Sequence, residues 1–131
     1  MAIIGSVVEH PIWSKPSWPE RLPAGDTLRA AYGRAADELT IRFAGEPRRD
    51  LVTLYVATPD IEYAAMIVRW DSGEVVGIQI DYLSDYAVRL HPQWLAAMAP
   101  EPKPEQLRSI VTEIKELYET YGTNFDNSEV T

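Results

Sequence analysis

The sequence predicts an α+β domain: a mostly antiparallel sheet of about five strands, joined as hairpins or a meander, with a C-terminal amphipathic helix packed on one face. Three observations predict it. Segments of alternating polarity, typical of half-buried strands, follow one another between residues 27 and 83. Turn-forming residues separate these segments. A long apolar stripe at helical spacing begins after residue 104.

The strands are predicted from period-two alternation and from runs of β-branched residues. The bend between the first two segments contains Gly33, which tolerates unusual backbone angles, and Asp37, which can bond nearby amides. Gly73 suits a tight hairpin tip, and Gly77 inside the last strand indicates a bulge or a close approach by another group. The predicted strand segments are 27–32, 38–43, 51–58, 62–70 and 75–83.

The ends of the chain predict different structures around a sheet core at 27–83, all within a single domain, 1–131. Residues 1–26 are rich in proline and tryptophan, which predicts an extended arm. A short helix is predicted at 92–98 after Pro92. The main helix is predicted at 104–121, with Pro104 at its start and Gly122 after its end. Residues 123–131 are expected to be a loose tail.

Composition limits the classes of function. The 131 residues contain no cysteine, which excludes disulfides, thiolate metal sites and cysteine nucleophiles. A net charge of −8 argues against nucleic-acid binding, which needs clustered lysine and arginine. No targeting segment and no apolar run long enough to span a bilayer is recognised, so we expect a cytoplasmic protein without membrane association. No pattern indicates a cofactor, a catalytic nucleophile or a metal site, and we expect none.

Two motifs carry a resemblance to a known family. They read "YGRAADELTIRF" (residues 32–43) and "DSGEVVGIQIDYL" (residues 71–83). Over roughly residues 28–83 the chain resembles a family of small prokaryotic proteins catalogued as domain of unknown function 2283. The chain departs from that family's pattern at Gly33, Thr40 and Gln79, and it carries an extra segment between the motifs. The family has no assigned activity, so the resemblance implies no catalytic residues. It does imply a role as an antitoxin-like partner of a toxin-like protein.

The aromatic content suggests a candidate interaction surface. Tryptophan and tyrosine favour interfaces because they bury a large area and keep a polar tip. One helix covers only one face of a five-stranded sheet, so the other face must meet the arm, a second copy or a partner. Ordinary core packing is the alternative for these residues, and for the arm it means that its tryptophans pin it to the body. The candidates are Trp13, Trp18, Trp70, Tyr82, Tyr86 and Trp94.

A polar site is the second candidate. Asp37 and Arg42 lie around the first bend, where Asp37 can instead cap the turn and Arg42 can pair with a cross-strand acid. Asp81 and Asp85 could form a carboxylate pair for acid–base work or for a divalent cation. Solvated strand-end acids are the simpler interpretation. His91 is expected to cap the short helix rather than to bind metal.

The leading expectation is therefore a non-enzymatic interaction module that self-associates, most simply as a homodimer. A small carboxylate-dependent hydrolase or metal-dependent enzyme is the alternative, and an antitoxin-like partner is the second alternative. The lack of nucleophile motifs and cysteine, together with only two histidines, favours the first.

Overall fold

The computed structural model describes residues 13–43 and 49–124 and contains a five-stranded antiparallel sheet, which confirms the α+β class. The strands are β1 Leu28–Gly33, β2 Glu38–Phe43, β3 Leu51–Tyr55, β4 Ala64–Arg69 and β5 Val75–Ile80. Their spatial order is β1-β2-β5-β4-β3. Three strands in succession, β3 to β5, are joined as hairpins, and β2 lies beside the last of them. This Greek-key arrangement differs from a simple meander.

A helical layer covers one face of the sheet. After β5 the chain forms a π-helical segment, Leu83–Ala87, then the single turn α1, Val88–Leu90. A 3₁₀ helix, Pro92–Met98, and the long helix α2, Pro104–Tyr121, follow. Helix α2 begins with proline, and Gly122 at its C-cap donates its N–H to Tyr118 O at 2.7 Å. Both ends therefore follow the sequence signals for a helix start and stop.

The core lies between this helical layer and the sheet. The buried residues of α2 belong to the predicted stripe, and they face alternate residues of the strands. Cross-strand rows such as Ile41–Ile78–Met66 run through the middle of the sheet. The fully buried Trp94 of the 3₁₀ helix completes the core. The buried residues of α2 are Leu107, Ile110, Val111 and Ile114.

A bulge in β5 changes which residues face the core. Ile67 pairs with Gly77, but Val68 pairs with Val75, so Val76 is the extra residue. Val75 therefore joins the core cluster, whereas the alternation in the sequence assigns that place to Val76. A Cβ atom at Gly77 would lie 2.8 Å from Ile41 O, so a neighbouring strand approaches closely there. The bulge and the close approach that Gly77 predicts are both confirmed.

The described part of the N-terminal arm is held against the body. Ser17 bridges Glu74 in parallel, and its N–H donates to Gly73 O at 2.9 Å. Further along, Arg108 Nε donates to Pro23 O at 3.1 Å. A Cβ atom at Gly25 would lie 2.3 Å from Pro104 O, so only glycine allows this approach to the start of α2.

The C-terminal tail differs from its prediction at its first residue. Thr123 is buried and forms an antiparallel bridge with Val56, and Ala57 N–H donates to Gly122 O at 2.9 Å. This pairing ties the chain to the end of β3 instead of leaving it loose. The rest of the predicted tail, 125–131, lies outside the described residues, as does the arm before residue 13.

Candidate functional site

A cleft of about 290 Å³ opens between the loop that follows β3 and the helical layer. Its floor carries aromatic rings, and its rim carries Leu90 and Tyr121, which are 52% and 43% exposed. Large apolar side chains left half in solvent beside a cavity mark a place where another molecule can gain contact. The lining residues are Thr58, Pro59, Asp60, Tyr63, Tyr86, Leu90, His91, Leu117 and Tyr121.

Two backbone features place the rings of the cleft. The carbonyl of Tyr63 accepts the N–H of Asp81 at 2.8 Å, which fixes Tyr63 at the entrance to β4. Tyr82 adopts a left-handed conformation (φ 54°), and its carbonyl accepts the N–H groups of Tyr86 and Ala87, both at 2.9 Å. The resulting π-helical segment brings the Tyr86 ring edge-to-face with Tyr63 at 5.5 Å between centroids. Such π-helical turns are rare and frequent at functional sites.

His91 forms the wall of the cleft. Its Nε2 is hydrogen-bonded to Tyr63 Oη at 2.8 Å, and its ring stacks on Trp94 with centroids 3.8 Å apart and planes at 12°. The expectation that His91 caps the 3₁₀ helix is wrong for the side chain, which makes no cap bond. The ring instead stacks on Trp94 of this helix and is hydrogen-bonded to Tyr63.

Burial controls the protonation of this wall. Burial lowers the pKa of His91, and the charge of Glu113 opposes the shift only in part. Burial, followed by the neighbouring phenols of Tyr86 and Tyr121, raises the pKa of Tyr63 to about 12. The cleft therefore presents a neutral imidazole and a neutral phenol at physiological pH.

The depressed pKa of His91 predicts a pH dependence of stability. In the unfolded chain this histidine becomes protonated at about pH 6.5, but in the folded chain it becomes protonated only at lower pH, because its pKa is lowered. The free energy of unfolding should therefore be constant above that pH, fall as pH drops toward the folded pKa, and level off below it. Urea titrations across this range measure it, with His91→Gln as the control that loses this component. An NMR midpoint for His91 at or above the ordinary value would contradict the expectation.

Behind His91, Glu113 anchors the 3₁₀ helix to α2. Trp94 Nε1 donates to Glu113 Oε1, and Gln93 Nε2 donates to Glu113 Oε2 at 2.8 Å. The buried indole N–H is thereby satisfied, which removes the cost of leaving it unpaired in the core. A second depression of about 200 Å³ lies on this side, and it shares His91 and Leu117 with the cleft.

Asp37 binds the first turn of the π-helical segment through hydrogen bonds from its backbone N–H groups. Its Oδ1 accepts the Tyr32 hydroxyl at 2.5 Å and the Ser84 N–H at 2.9 Å, and its Oδ2 accepts the Asp85 N–H at 3.0 Å. Burial alone would raise the pKa of Asp37, but the hydrogen bonds from Tyr32, Ser84 and Asp85 outweigh it and lower the pKa. Asp37 thus caps a segment 47 residues away, beyond its own turn.

Replacing Asp37 by alanine should lower the free energy of unfolding by about 1–3 kcal/mol, because the cap is lost and alanine lacks the polar side chain that helps aspartate to adopt a left-handed backbone (φ 53°). Asp37→Asn keeps one acceptor and the tolerance for this conformation, so it should cost less. The stabilisation by Asp37 is present above the ordinary carboxyl pKa of about 3.9 and is lost as pH falls through the lowered folded value. Chemical denaturation measures both variants. Equal losses for alanine and asparagine would contradict this role.

A second polar cluster lies at the end of β5, on the sheet face away from the helices. Asp81 accepts the Tyr55 hydroxyl at Oδ2 and Gln79 Nε2 at Oδ1, the latter at 3.0 Å. Burial and then Asp81 raise the pKa of Tyr55. Burial raises the pKa of Glu38, with the charge of Asp81 and a hydrogen bond to it adding to the effect. The acid that lies near Asp81 is therefore Glu38 rather than Asp85.

The predicted polar site is not assembled as one unit. Asp81 belongs to the Glu38 cluster, whereas Asp85 is exposed and is held through its backbone by Asp37. The expected cross-strand acid beside Arg42 is also absent, because its direct neighbours across the strands are Arg29 and Gly77. The register in which β2 pairs with β1 and β5 decides which residues lie beside Arg42, and the local sequence of β2 does not reveal that register.

The aromatic candidates are likewise distributed over the molecule. Trp13 and Trp70 meet at the β4–β5 turn, where Trp13 Nε1 donates to Trp70 O at 2.6 Å. Trp18 packs against the core from the arm, and its buried Nε1 has no hydrogen-bond partner among the described residues. The expectation that the arm is pinned by its tryptophans fits these contacts.

Three candidates lie at the other end of the sheet. Tyr82 is 48% exposed at its left-handed turn, outside the strand in which the sequence alternation places it. Tyr86 lines the cleft. Trp94 is fully buried, so it cannot belong to an exposed interaction surface, and this assignment is corrected.

The sequence patterns do not predict most of the cleft. Tyr63 falls in the predicted strand 62–70, Tyr121 falls in the predicted helix 104–121, and no pattern marks Leu90. The one available signal was the "YAVRLH" segment (residues 86–91), in which aromatic, aliphatic and imidazole side chains follow one another before a proline.

Two searches of the structure give negative findings within the described ranges. No group of three or more His, Asp or Glu residues there could hold a metal ion. None of the described helices combines the length and the apolar composition that a membrane crossing requires.

Comparison with known proteins adds no assignment. No family model, curated protein or solved structure matches this chain, so the resemblance over residues 28–83 stays a prediction.

Proposed function

We propose that this protein is a non-enzymatic interaction module that binds a segment of a partner protein in the cleft beside His91. The observation that carries the proposal is the combination of a half-exposed apolar rim, Leu90 and Tyr121, with an aromatic floor behind it. Clefts lined by aromatic and aliphatic groups, with a few fixed polar groups, are the usual form of a binding site.

The preorganisation of the floor supports binding. Tyr63 is 3% exposed and contacts Tyr86, His91 and Trp94 through its ring. Rings held in place before the partner arrives lose little side-chain entropy on binding. Tyr63 Oη in the floor and His91 Nε2 in the wall are hydrogen-bonded to each other, so an entering apolar group does not leave either of them unpaired.

Selection of a random peptide library on the whole chain tests the proposal. Enriched peptides should bind about tenfold or more weaker to the double variant Leu90→Ala, Tyr121→Ala, because two rim contacts are lost. The control is Leu95→Ala, since Leu95 is 56% exposed and lies outside the cleft lining. Peptides that bind the double variant as well as the wild type, or no enrichment at all, would overturn the proposal.

Self-association stays a prediction from the sequence. The exposed residues on the described part of the second sheet face include Arg29, Ala31 and Thr53, whereas Ala65 and Ile67 on that face are buried. This composition offers little apolar area to a second copy. Light scattering at high micromolar concentration decides the point, and a monomer there would contradict the dimer.

One observation favours the alternative of a carboxylate-dependent hydrolase. Burial, and then Asp81, raise the pKa of Glu38, and a carboxyl of raised pKa beside a second carboxyl is the pairing that general acid catalysis uses. Release of nitrophenol from a panel of nitrophenyl esters and glycosides tests it. A rate lost in Glu38→Gln but kept in Glu101→Gln would support the hydrolase, and equal rates in both variants would contradict it.

A further inference from the structure

We propose that the partner segment inserts a basic side chain, lysine or arginine, into the cleft beside His91. This inference rests on the proposed function and specifies the chemistry of the partner. It draws on two features of the described surface: the kind of ring that lines the cleft, and the sign of the charges around it.

The rings are suited to a cation. Three tyrosines, Tyr63, Tyr86 and Tyr121, line the same cleft. The face of a phenol ring carries negative charge density, and an ammonium or guanidinium group within about 6 Å of a ring centroid is attracted to it. The rings of Tyr63 and Tyr86 are 5.5 Å apart between centroids, and Tyr121 lines the same cleft.

The charged side chains among the described residues that line the cleft and the neighbouring depression are all acidic. Asp60 lines the cleft itself, and Glu113 and Glu116 line the depression that shares His91 and Leu117 with it. Neither lining contains a lysine or an arginine. A basic side chain entering from solvent therefore meets a negative rim.

Nothing in the wall opposes a cation. His91 is neutral at physiological pH because burial lowers its pKa. The net charge of −8 of the whole chain adds a long-range attraction for basic segments at low salt. An acidic partner segment would meet repulsion from the same groups, and a purely apolar one would gain nothing from their charge.

NMR titration of the aromatic signals of the full chain tests this with matched probes. N-acetyl-lysine methylamide should shift the signals of Tyr63, Tyr86 and Tyr121 and bind about fivefold more tightly than the norleucine compound, which has the same length but no charge. Added salt should reduce this preference.

Two variants of Tyr121 separate the contribution of its aromatic ring from that of its apolar area. Tyr121→Phe should keep the preference for lysine, whereas Tyr121→Leu should weaken it severalfold, because only phenylalanine retains the ring face. Asp60→Asn should also weaken it, and asparagine suits the left-handed backbone at that position (φ 66°). Glu101→Gln, an exposed acid outside both linings, is the charge control.

The outcomes distinguish the two proposals. Equal binding of the lysine and norleucine compounds would overturn the basic side chain but leave a cleft that binds peptides. Failure of the peptide selection would overturn the proposed function itself. n-Butylammonium binding as tightly as the lysine compound would overturn a peptide partner in favour of a free amine.

Discussion

Replacing Trp94 by alanine should lower the free energy of unfolding by about 3–5 kcal/mol. The ring is fully buried, stacks on His91 at 3.8 Å and lies 6.2 Å from Tyr63 between centroids. Its removal leaves a cavity behind the cleft wall and also deprives Glu113 of a donor. Because small domains are stable by only about 5–15 kcal/mol, this loss is a large fraction of the total.

Trp94→Phe is the matched control. Phenylalanine keeps a ring beside His91 but removes the N–H that Glu113 accepts, so the loss should be nearer to about 1–3 kcal/mol. Urea denaturation measures both variants, and the NMR signals of His91 report whether the wall survives. A loss below about 1 kcal/mol for Trp94→Ala would show that this residue does not close the core.

Ile78→Ala should cost about 2–5 kcal/mol, and Ile78→Val about 0.5–1.5 kcal/mol. Ile78 is fully buried in β5, directly opposite Ile41 on one side and Met66 on the other. Alanine removes the side chain that joins these two neighbours beneath the helical layer, whereas valine removes a single methyl group.

Thr53→Ala serves as the reference, because Thr53 is exposed on the other face of β3. Its effect should stay within about 0.5 kcal/mol. The urea concentration at the unfolding midpoint should therefore be highest for Thr53→Ala, lower for Ile78→Val and lowest for Ile78→Ala. Comparable midpoints for Ile78→Ala and Thr53→Ala would contradict the assigned orientation of the sheet.

Local patterns predicted the elements well, for a physical reason. Strand alternation and the helical stripe of α2 each arise from one face of an element meeting the core, and that information lies within a few neighbouring residues. Gly77 likewise signalled its own bulge, because a missing side chain is visible in the sequence.

Contacts between distant segments were not predictable in this way. The position of β5 between β2 and β4 depends on pairing across the chain, and so does the reach of Asp37 to Ser84. The π-helical segment follows from the left-handed Tyr82, a conformation that the residue type disfavours.

The cleft is not predictable from local patterns either, because distant segments form it. Tyr63 and His91, its central pair, are 28 positions apart, and each has an ordinary local environment in the sequence. The carboxylate pairing shows a similar limit: Asp81 and Asp85 are close along the chain, but strand pairing brings Glu38 to Asp81 instead. Proximity along the chain was a poor guide to proximity in the fold.

The most direct test of the account is an NMR map of where a selected basic peptide binds. The peptide should bind in the cleft, so the ring signals of Tyr63, Tyr86, His91 and Tyr121 should shift together, and those of Tyr55 on the opposite sheet face should stay unchanged. Shifts concentrated at Tyr55, with the cleft signals unchanged, would contradict it.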